Sequence, residues 1–443
     1  MPSEPQAPKQ TRGRLSSRKW VAASALALVA VAGCASGPPR PTTPTYSGAT
    51  RPDPTRPPRP GDPMPSEPVS ERFADSRNAY MPRHMSGQQT QGIKRVAVLL
   101  PFSSTDAGTQ RVTQALYNSI QMALFEIGAR DVVLMPRDAS GAGPREIARV
   151  AEDAIRAGAI AVIGPLRAQQ IAPVASEAAK VRAPVFAFSN DQSAAGQGAY
   201  LVSLTPHTEV ERIVDWAVSQ GVNRFAMLAP NSTYGRTVET ALREEAAARG
   251  ALVVASEFYA PGDSSPQEPA RRVAMVVKAE NTANPGKVAV LIPESGVQLR
   301  SVASLLPYVG DLNLREIRFL GTGLWNDPDI WRESALRGGA FPASDPATLA
   351  DFERRYKAIF GEDAPRLASF GYDAGALVAT LASNERLDAA MVQRVQGWGG
   401  VNGLFRFLPD GSVERGLVVR QIVDAAGEPR IVSPAIKEFG PGS

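Results

Sequence analysis

Candidate ligand-binding residues follow three predicted strands. They are Ser103 after the apolar run 96–100, Arg167, Ala168 and Gln169 after 159–163, and Ser189, Asn190 and Asp191 after 184–188. In open parallel sheets, ligands gather at the loops beyond the carboxyl ends of the strands. The hydroxyl, amide, carboxylate and guanidinium groups of these loops would bind a small polar molecule through hydrogen bonds and charge.

Each of these residues also has an interpretation that involves no ligand. Arg167 would pair with a carboxylate through two parallel hydrogen bonds, yet a single arginine on a loop is more often a solvated surface residue. Ser189, Asn190 and Asp191 offer donors and an acceptor, but the same residue types cap helices and form turns. The sequence leaves both interpretations open.

Patterns for catalysis or metal binding are sparse. The chain has two histidines, His84 and His207, and one cysteine, so a His/Cys metal cluster or an H-E-x-x-H arrangement is excluded. The S-x-x-K motif that begins at Ser16 lies in a predicted signal segment, and neither a G-x-S-x-G elbow nor a Walker A loop occurs. We expect no catalytic activity, no metal and no cofactor.

The elements that would position the candidate residues alternate between strand and helix from Lys94 onward. The stretch 159–190 is one complete unit of strand, Gly-Pro turn, amphipathic helix and strand. Two such βα runs, separated near 204–206, predict two doubly wound parallel-sheet lobes. Toward the end of the chain, 404–408 is predicted to form a hairpin with 417–423.

The amino terminus has the pattern of an export signal. Five basic residues precede an apolar segment at 21–32, which at twelve residues is too short to span a bilayer. The tetrapeptide that ends at Cys34 resembles the bacterial lipobox, in which the cysteine is lipidated; the alternative is an ordinary signal with a chance cysteine. Removal of 1–33 takes away five basic residues and one acidic residue, so the formal charge falls from +4 to zero. No basic patch then argues for nucleic-acid binding.

A Pro-rich segment follows the cysteine. Residues 35–93 contain 13 prolines in 59 positions and have no periodic apolar face. We expect a disordered linker with a reach of roughly 180 Å if fully extended at about 3.1 Å per residue; a Pro-rich recognition segment is the alternative. The predicted organisation is a signal peptide at 1–33, a lipidated cysteine and linker at 34–93, lobe 1 at 94–204 and 344–398, and lobe 2 at 205–343 and 399–443.

The chain from 94 to 443 resembles the type I periplasmic binding proteins. The resemblance rests on VAVLLPFS, AVIGPL, APVFAFSN, RFAMLAPNSTYGRT and GLFRFLPDGSV. It implies two lobes joined by a multi-strand hinge. Within that superfamily the chain resembles the penicillin-binding protein activator lipoproteins, which share an LAP-x-x-x-x-G-x-x-V helix start and a strand followed by Pro-Gly-Asp.

The resemblance also implies roles for residues of the second lobe. In amino-acid receptors of this fold, small hydroxyl residues after the Gly-Pro turn bind the ligand carboxylate, and here Arg167, Ala168 and Gln169 stand in that loop. Tyr234, Glu294 and Ser295 match the ligand-facing loops whose tyrosine and acidic residues hold the ammonium. Trp325 would either stack on a sugar ring or close the hinge.

The function implied by the closer resemblance is the activation of peptidoglycan synthases by a non-catalytic lipoprotein. The partner would be a penicillin-binding protein, and a small polar ligand in the cleft stays open. Because Ser36 is not the aspartate that resembles an inner-membrane retention signal, we expect the periplasmic face of the outer membrane. The alternative is a solute-binding receptor of a branched-chain amino acid type ABC importer.

Overall fold

The computed structural model describes residues 92–440, except 142, 264, 314–316, 384–386 and 424–426. The predicted signal peptide, Cys34 and nearly all of the predicted linker lie outside the described residues. By its contacts the chain divides into two units, 1–66 and 67–443, and every described residue belongs to the second unit.

Lobe 1 is built on a five-stranded parallel sheet in the order β2-β1-β3-β4-β5. The strands are β1 (Lys94–Leu100), β2 (Val132–Asp138), β3 (Ala159–Ile163), β4 (Val185–Ala187) and β5 (Ala199–Leu201). Alternate residues of β1 enter two different cores, with Val96 and Val98 on one face and Ala97 and Leu99 on the other. Burial on both faces explains why these strands are continuous apolar runs, as parallel strands covered by helices are.

The helices of this first run are α1 (Ala107–Ile127), α2 (Pro144–Arg156) and α3 (Ala168–Ala179). The Asp106 carboxylate caps α1 by accepting a hydrogen bond from the backbone N–H of Thr109 at 2.7 Å. Gly128 ends the helix in the left-handed region, with φ of 75°. The start and stop of α1 are therefore encoded locally.

Lobe 2 has a seven-stranded sheet in the order β15-β14-β10-β9-β8-β6-β7. Its strands are β6 (Arg224–Pro230), β7 (Leu252–Tyr259), β8 (Val288–Leu291), β9 (Arg318–Leu320), β10 (Ala340–Ala343), β14 (Val418–Gln421) and β15 (Arg430–Ser433). Its helices are α4 (Pro206–Ser219), α5 (Thr233–Ala248), α6 (Gln267–Ala283), α7 (Gly296–Gly310) and α8 (Pro328–Trp331). The strands β6 to β10 are parallel, and β14 and β15 are antiparallel additions at one edge.

After β10 the chain returns to lobe 1. The returning elements are α9 (Pro346–Phe360), α10 (Ala368–Ser383), α11 (Ala389–Val392), β11 (Trp398–Gly400), β12 (Gly403–Phe407) and β13 (Val413–Arg415). Helix α10 lies directly on α1: a Cβ at Gly371 would meet the Leu116 carbonyl oxygen at 2.7 Å, and one at Gly375 would meet that of Ile120 at 2.9 Å. Glycine is required at both positions because the two backbones approach so closely.

The hairpin near the end of the chain differs from its prediction. Strand β12 pairs with β13, whereas the predicted partner 417–423 contributes β14 to the lobe 2 sheet. The aromatic residues Phe405 and Phe407 enter the core of lobe 1. The chain therefore crosses to lobe 2 after Arg415 and not at the predicted boundary of 398/399. Two aromatic side chains buried against lobe 1 explain the difference.

Between β5 and β14 the described chain thus crosses between the lobes three times, at 202–205, 344–345 and 416–417. The prediction of two doubly wound parallel-sheet lobes joined by a multi-strand hinge is confirmed.

Candidate functional site

The loops at the carboxyl ends of β1 and β2 are joined by one carboxylate. Asp138 accepts hydrogen bonds from the backbone N–H of Ser103 at 3.1 Å and from the Ser140 hydroxyl at 2.7 Å, and the Ser103 hydroxyl also donates to it. Burial raises the pKa of Asp138, but the hydrogen bonds from Ser103 and Ser140 outweigh it and bring the pKa below its ordinary value. The candidate Ser103 is therefore bound to an ionised carboxylate of the protein.

The loop after β3 presents few groups to a ligand. Arg167 and Gln169 are exposed, and Ala168 is the first residue of α3. The next residue, Gln170, turns inward and donates from its side-chain amide to the Ala139 carbonyl at 2.9 Å. No ion pair or side-chain hydrogen bond of Arg167 occurs with the residues that the structure describes. The solvated interpretation of Arg167 fits this geometry.

The loop after β4 is organised by its own hydrogen bonds. The backbone N–H of Asp191 donates to the buried Ser189 hydroxyl at 3.1 Å. Asp191 in turn accepts from the backbone N–H of Ser193 at 3.1 Å and from its hydroxyl at 2.6 Å, and so caps the short helical turn 192–194. Asn190 is exposed. Ser189 and Asp191 thus shape a turn.

The corresponding wall of lobe 2 is aromatic and acidic. Tyr234, in the first turn of α5, donates to the Thr322 hydroxyl at 2.8 Å. Tyr259, at the end of β7, donates to Glu294 Oε2 at 2.7 Å, while Glu294 Oε1 accepts from the backbone N–H of Ser295 at 3.0 Å. Burial raises the pKa of both tyrosines, with the carboxylates of Glu209 and Glu294 contributing, so both remain proton donors. Ser295 is exposed and precedes α7 without capping it.

Two further residues of this region were not predicted. Glu209, in the first turn of α4, is only 7% exposed, and burial raises its pKa to about 7 although Arg366 and the Gly323 backbone N–H act in the opposite direction. Arg366 lies between α9 and α10 in lobe 1, and its Nη2 donates to the Gly323 carbonyl of lobe 2 at 3.0 Å. The guanidinium therefore bridges the lobes beside Glu209. Neither residue directly follows a predicted strand, so the sequence pattern does not mark either as a candidate.

Trp325 belongs to the core of lobe 2. Its side chain has no exposed area, its Nε1 donates to the Ile292 carbonyl at 3.0 Å, and its ring lies 6.5 Å from that of Phe341. A ring enclosed in this way has no face left for a sugar. The stacking role considered for Trp325 is therefore wrong, because the tryptophan fills the space beside Gly321 and Gly339.

A small cavity lies beside the bridge between the lobes. It has a volume of about 250 Å³ and is lined by Gly323, Ser344, Phe352, Arg366 and Asn402, among others. This is below the range of roughly 300–1,000 Å³ that is typical of drug-sized ligand sites. Within the described part of the chain, no three His, Cys, Asp or Glu side chains are placed to hold a metal ion, and no helix is both long and apolar enough to cross a bilayer.

A family model described as periplasmic binding protein matches residues 94–428. No curated protein matches the chain. Among solved structures, a protein assigned to branched-chain amino acid ABC transport from Rhodospirillum rubrum superposes with a TM-score of 0.63 at 17% identity, over 77% of this chain and 100% of that one.

Full-length LpoA from Haemophilus influenzae is similar to this chain as well. Two crystal structures give TM-scores of 0.58 and 0.59 at 18% and 17% identity, over 79% of this chain. The match covers 61% of the LpoA chain, so this chain spans less than two thirds of that protein. At such identities the likeness establishes the fold alone.

Proposed function

We propose that this chain, which belongs to the periplasmic binding protein family, is a non-catalytic lipoprotein that activates peptidoglycan synthases. It would be anchored through Cys34 to the periplasmic face of the outer membrane and would reach its partner through the linker at 34–93. Three features support the proposal: the lipobox-like tetrapeptide, the Pro-rich linker and the fold shared with LpoA.

The main support for an activator over a receptor is that the Asp138 carboxylate already accepts hydrogen bonds from two serines. A receptor for amino acids must offer donors to the carboxylate of its ligand at the carboxyl ends of the lobe 1 strands. Here Ser103 and Ser140 donate to Asp138, and Ala168 has no hydroxyl. A second carboxylate 4 Å from Asp138 would meet a repulsion of about 4 kcal/mol at the effective dielectric of a protein surface.

The contact of Arg366 supports the same choice. A guanidinium that belongs to the chain already lies beside Glu209 and Tyr234, where a receptor would place the cation of its solute. Its hydrogen bond to Gly323 joins the lobes without a solute. A protein that acts through its surface needs no solute to bring its lobes together.

A solute-binding receptor is the second candidate, and one observation favours it. Glu294 is held by Tyr259 and lies close enough to Tyr234 to affect its ionisation, which forms an acidic and aromatic wall suited to an ammonium group. The cation of such a solute would have to compete with Arg366.

Direct stimulation assays test the proposal. The Cys34→Ser chain without its signal peptide would be mixed with each purified peptidoglycan synthase of the same organism, and glycan polymerisation and peptide cross-linking would be followed. We expect one synthase to bind and to work severalfold faster. If none binds or accelerates while an amino acid stabilises the protein, the receptor is the better assignment.

A further inference from the structure

The last described residues, 434–440, run from lobe 2 back to lobe 1, and we call them the C-terminal strap. They follow β15, the edge strand of the lobe 2 sheet. They end beside β12, whose Phe405 and Phe407 are part of the lobe 1 core. The strap therefore spans the hinge in addition to the three crossings of the chain.

One arginine fixes the beginning of the strap. Arg212, on α4, donates from Nε to the Leu417 carbonyl at 2.7 Å. Its Nη2 donates to the Ser433 hydroxyl at 2.7 Å and to the Pro434 carbonyl at 3.0 Å. A planar guanidinium with donors on two sides can hold two chain segments in a fixed relation. The strap thus begins at the third crossing.

The middle of the strap lies against that crossing. A Cβ on Gly416 would be 2.9 Å from Cγ1 of Ile436 and 3.1 Å from its carbonyl oxygen. A side chain at position 416 would force the strap to shift, so glycine allows this close approach. Beneath the strap is a cavity of about 260 Å³ lined by Thr208, Glu211, Glu414 and Phe439, among others. The strap therefore contacts the rest of the protein at its two ends, at Gly416 and through Ala435, which packs against the lobe 2 core, and a cavity lies under it.

The far end of the strap is held by lobe 1. The guanidinium carbon of Arg406, on β12, lies 4.6 Å from the centre of the Phe439 ring, and Nη1 of the same arginine donates to the Gly440 carbonyl at 3.3 Å. The ring also covers Gly397, where a Cβ would be 2.8 Å from it. Phe439 is partly exposed. An aromatic ring held by a cation and a glycine can detach without breaking a core.

We propose that the C-terminal strap is a releasable fourth connection that limits the angle between the two lobes, with Phe439 as its release point. Hinge proteins change lobe angle by dihedral rotation at a few crossing residues. Rotation about the three crossings changes the separation between Arg212 on lobe 2 and Arg406 on lobe 1. The strap joins these two anchors, so a large rotation requires Phe439 to leave its place.

The distance between the lobes tests this proposal. Since Cys34 is the only cysteine, a Cys34→Ser chain with Gln169→Cys and Ser295→Cys would carry two spin labels, both at exposed positions, one on each lobe. Pulsed electron resonance would then give the distribution of distances. We expect Phe439→Ala to at least double its width, and removal of 435–443 to have the same effect. Lys437→Ala, an exposed change within the strap, should leave the distribution unchanged.

Thermal melting would establish that each variant keeps its lobes folded. Phe439→Ala removes only a partly exposed ring. It therefore tests the role of the strap even if the truncated chain fails to fold. A distribution for Phe439→Ala that coincides with that of the intact strap would overturn the proposal. So would equal broadening by Lys437→Ala, because the effect would then not depend on the contact with Arg406.

Discussion

Arg415 and Asp373 form an ion pair in which neither side chain has exposed area, with Arg415 Nη1 3.7 Å from Asp373 Oδ2. Asp373, on α10, also accepts from the backbone N–H of Val401 at 2.7 Å and from the Asn402 amide at 2.9 Å. Arg415 donates to the Val202 carbonyl. The pair thus ties a helix of lobe 1 to both the first and the third crossings.

We expect Asp373→Asn to lower the free energy of unfolding by about 3–5 kcal/mol, because it leaves the Arg415 charge buried without a partner. Urea unfolding of both proteins measures the difference. The matched control is Asp351→Asn, which breaks surface pairs with Arg354 and Arg355 and should cost less than about 1 kcal/mol. Equal losses for the two variants would show that the buried pair contributes no more than a surface pair.

Because Glu209 is buried, we predict that the free energy of unfolding decreases as the pH rises. Burial raises its pKa from the ordinary value of 4.5 to about 7, so the folded protein holds this proton more tightly than the unfolded chain. The contribution is complete below pH 4.5 and is lost as the pH rises through 7. It amounts to at most about 3 kcal/mol. Urea midpoints at pH 5, 6 and 7 should therefore fall less steeply for Glu209→Gln than for the unchanged protein.

The control for this measurement is Glu268→Gln, an exposed carboxylate in the first turn of α6. It should reproduce the pH dependence of the unchanged protein. If Glu209→Gln does the same, the Glu209 carboxyl does not bind its proton more tightly in the folded state.

Free amino acids should not bind tightly between the lobes. The serine hydroxyls that would receive a ligand carboxylate donate to Asp138. A ligand at a hundredfold its dissociation constant stabilises a protein by about 2.7 kcal/mol, which a melting scan detects. We expect no shift in Tm with 1 mM leucine. A clear increase with leucine or another amino acid would favour the receptor.

Membrane attachment should depend on Cys34 alone. Because this residue is the only thiol and lies at the lipobox-like position, Cys34→Ser should move the protein from the membrane fraction to the soluble periplasmic fraction. Separation of the two membranes should place the unchanged protein in the outer one. Mass spectra that show an unmodified Cys34 in the mature protein would contradict this prediction.

We expect deletion of 38–68 to abolish the proposed activation of a synthase in cells and to leave it intact in solution. The segment contains 12 of the 13 prolines of 35–93, and prolines extend a chain. In a purified mixture without membranes, reach is irrelevant and the folded lobes are unchanged. A Gly/Ser segment of equal length is the control for stiffness. If the protein that lacks 38–68 fully complements a null strain, the linker does not serve to extend the reach of the lobes.

Much of the fold could be predicted because its signals are local. A parallel sheet covered by helices is predicted by the apolar runs of β1 and β3 and by Gly128, which ends α1. The pairing of β12 could not be predicted in the same way. The apolar runs 404–408 and 417–423 both have strand patterns, and only the burial of Phe405 and Phe407 against lobe 1 decides which segment crosses to lobe 2.

The positions of the candidate residues relative to the strands were predictable, and their contacts were less so. Ser103, Tyr234 and Glu294 do lie at strand ends, as expected from a parallel sheet. The sequence does not mark Asp138 as a candidate, because the apolar run 132–135 ends three residues before it, whereas β2 continues to Asp138. Arg366 and Glu209 meet across the lobes from a loop and a helix with no strand-end signal. Contacts of this kind depend on tertiary structure that no short pattern encodes.

Because α10 packs closely on α1, lobe 1 cannot complete its core until α10 has been translated. The apolar face of α1 belongs to the first third of the chain, but α10, which covers it and carries Gly371 and Gly375, is synthesised only after most of lobe 2. Such contacts between distant segments form slowly, because the chain must first lose the entropy of closing a long loop. We therefore expect a premature stop codon between Leu201 and Ala368 to destabilise lobe 1, although every strand of its parallel sheet has already been translated.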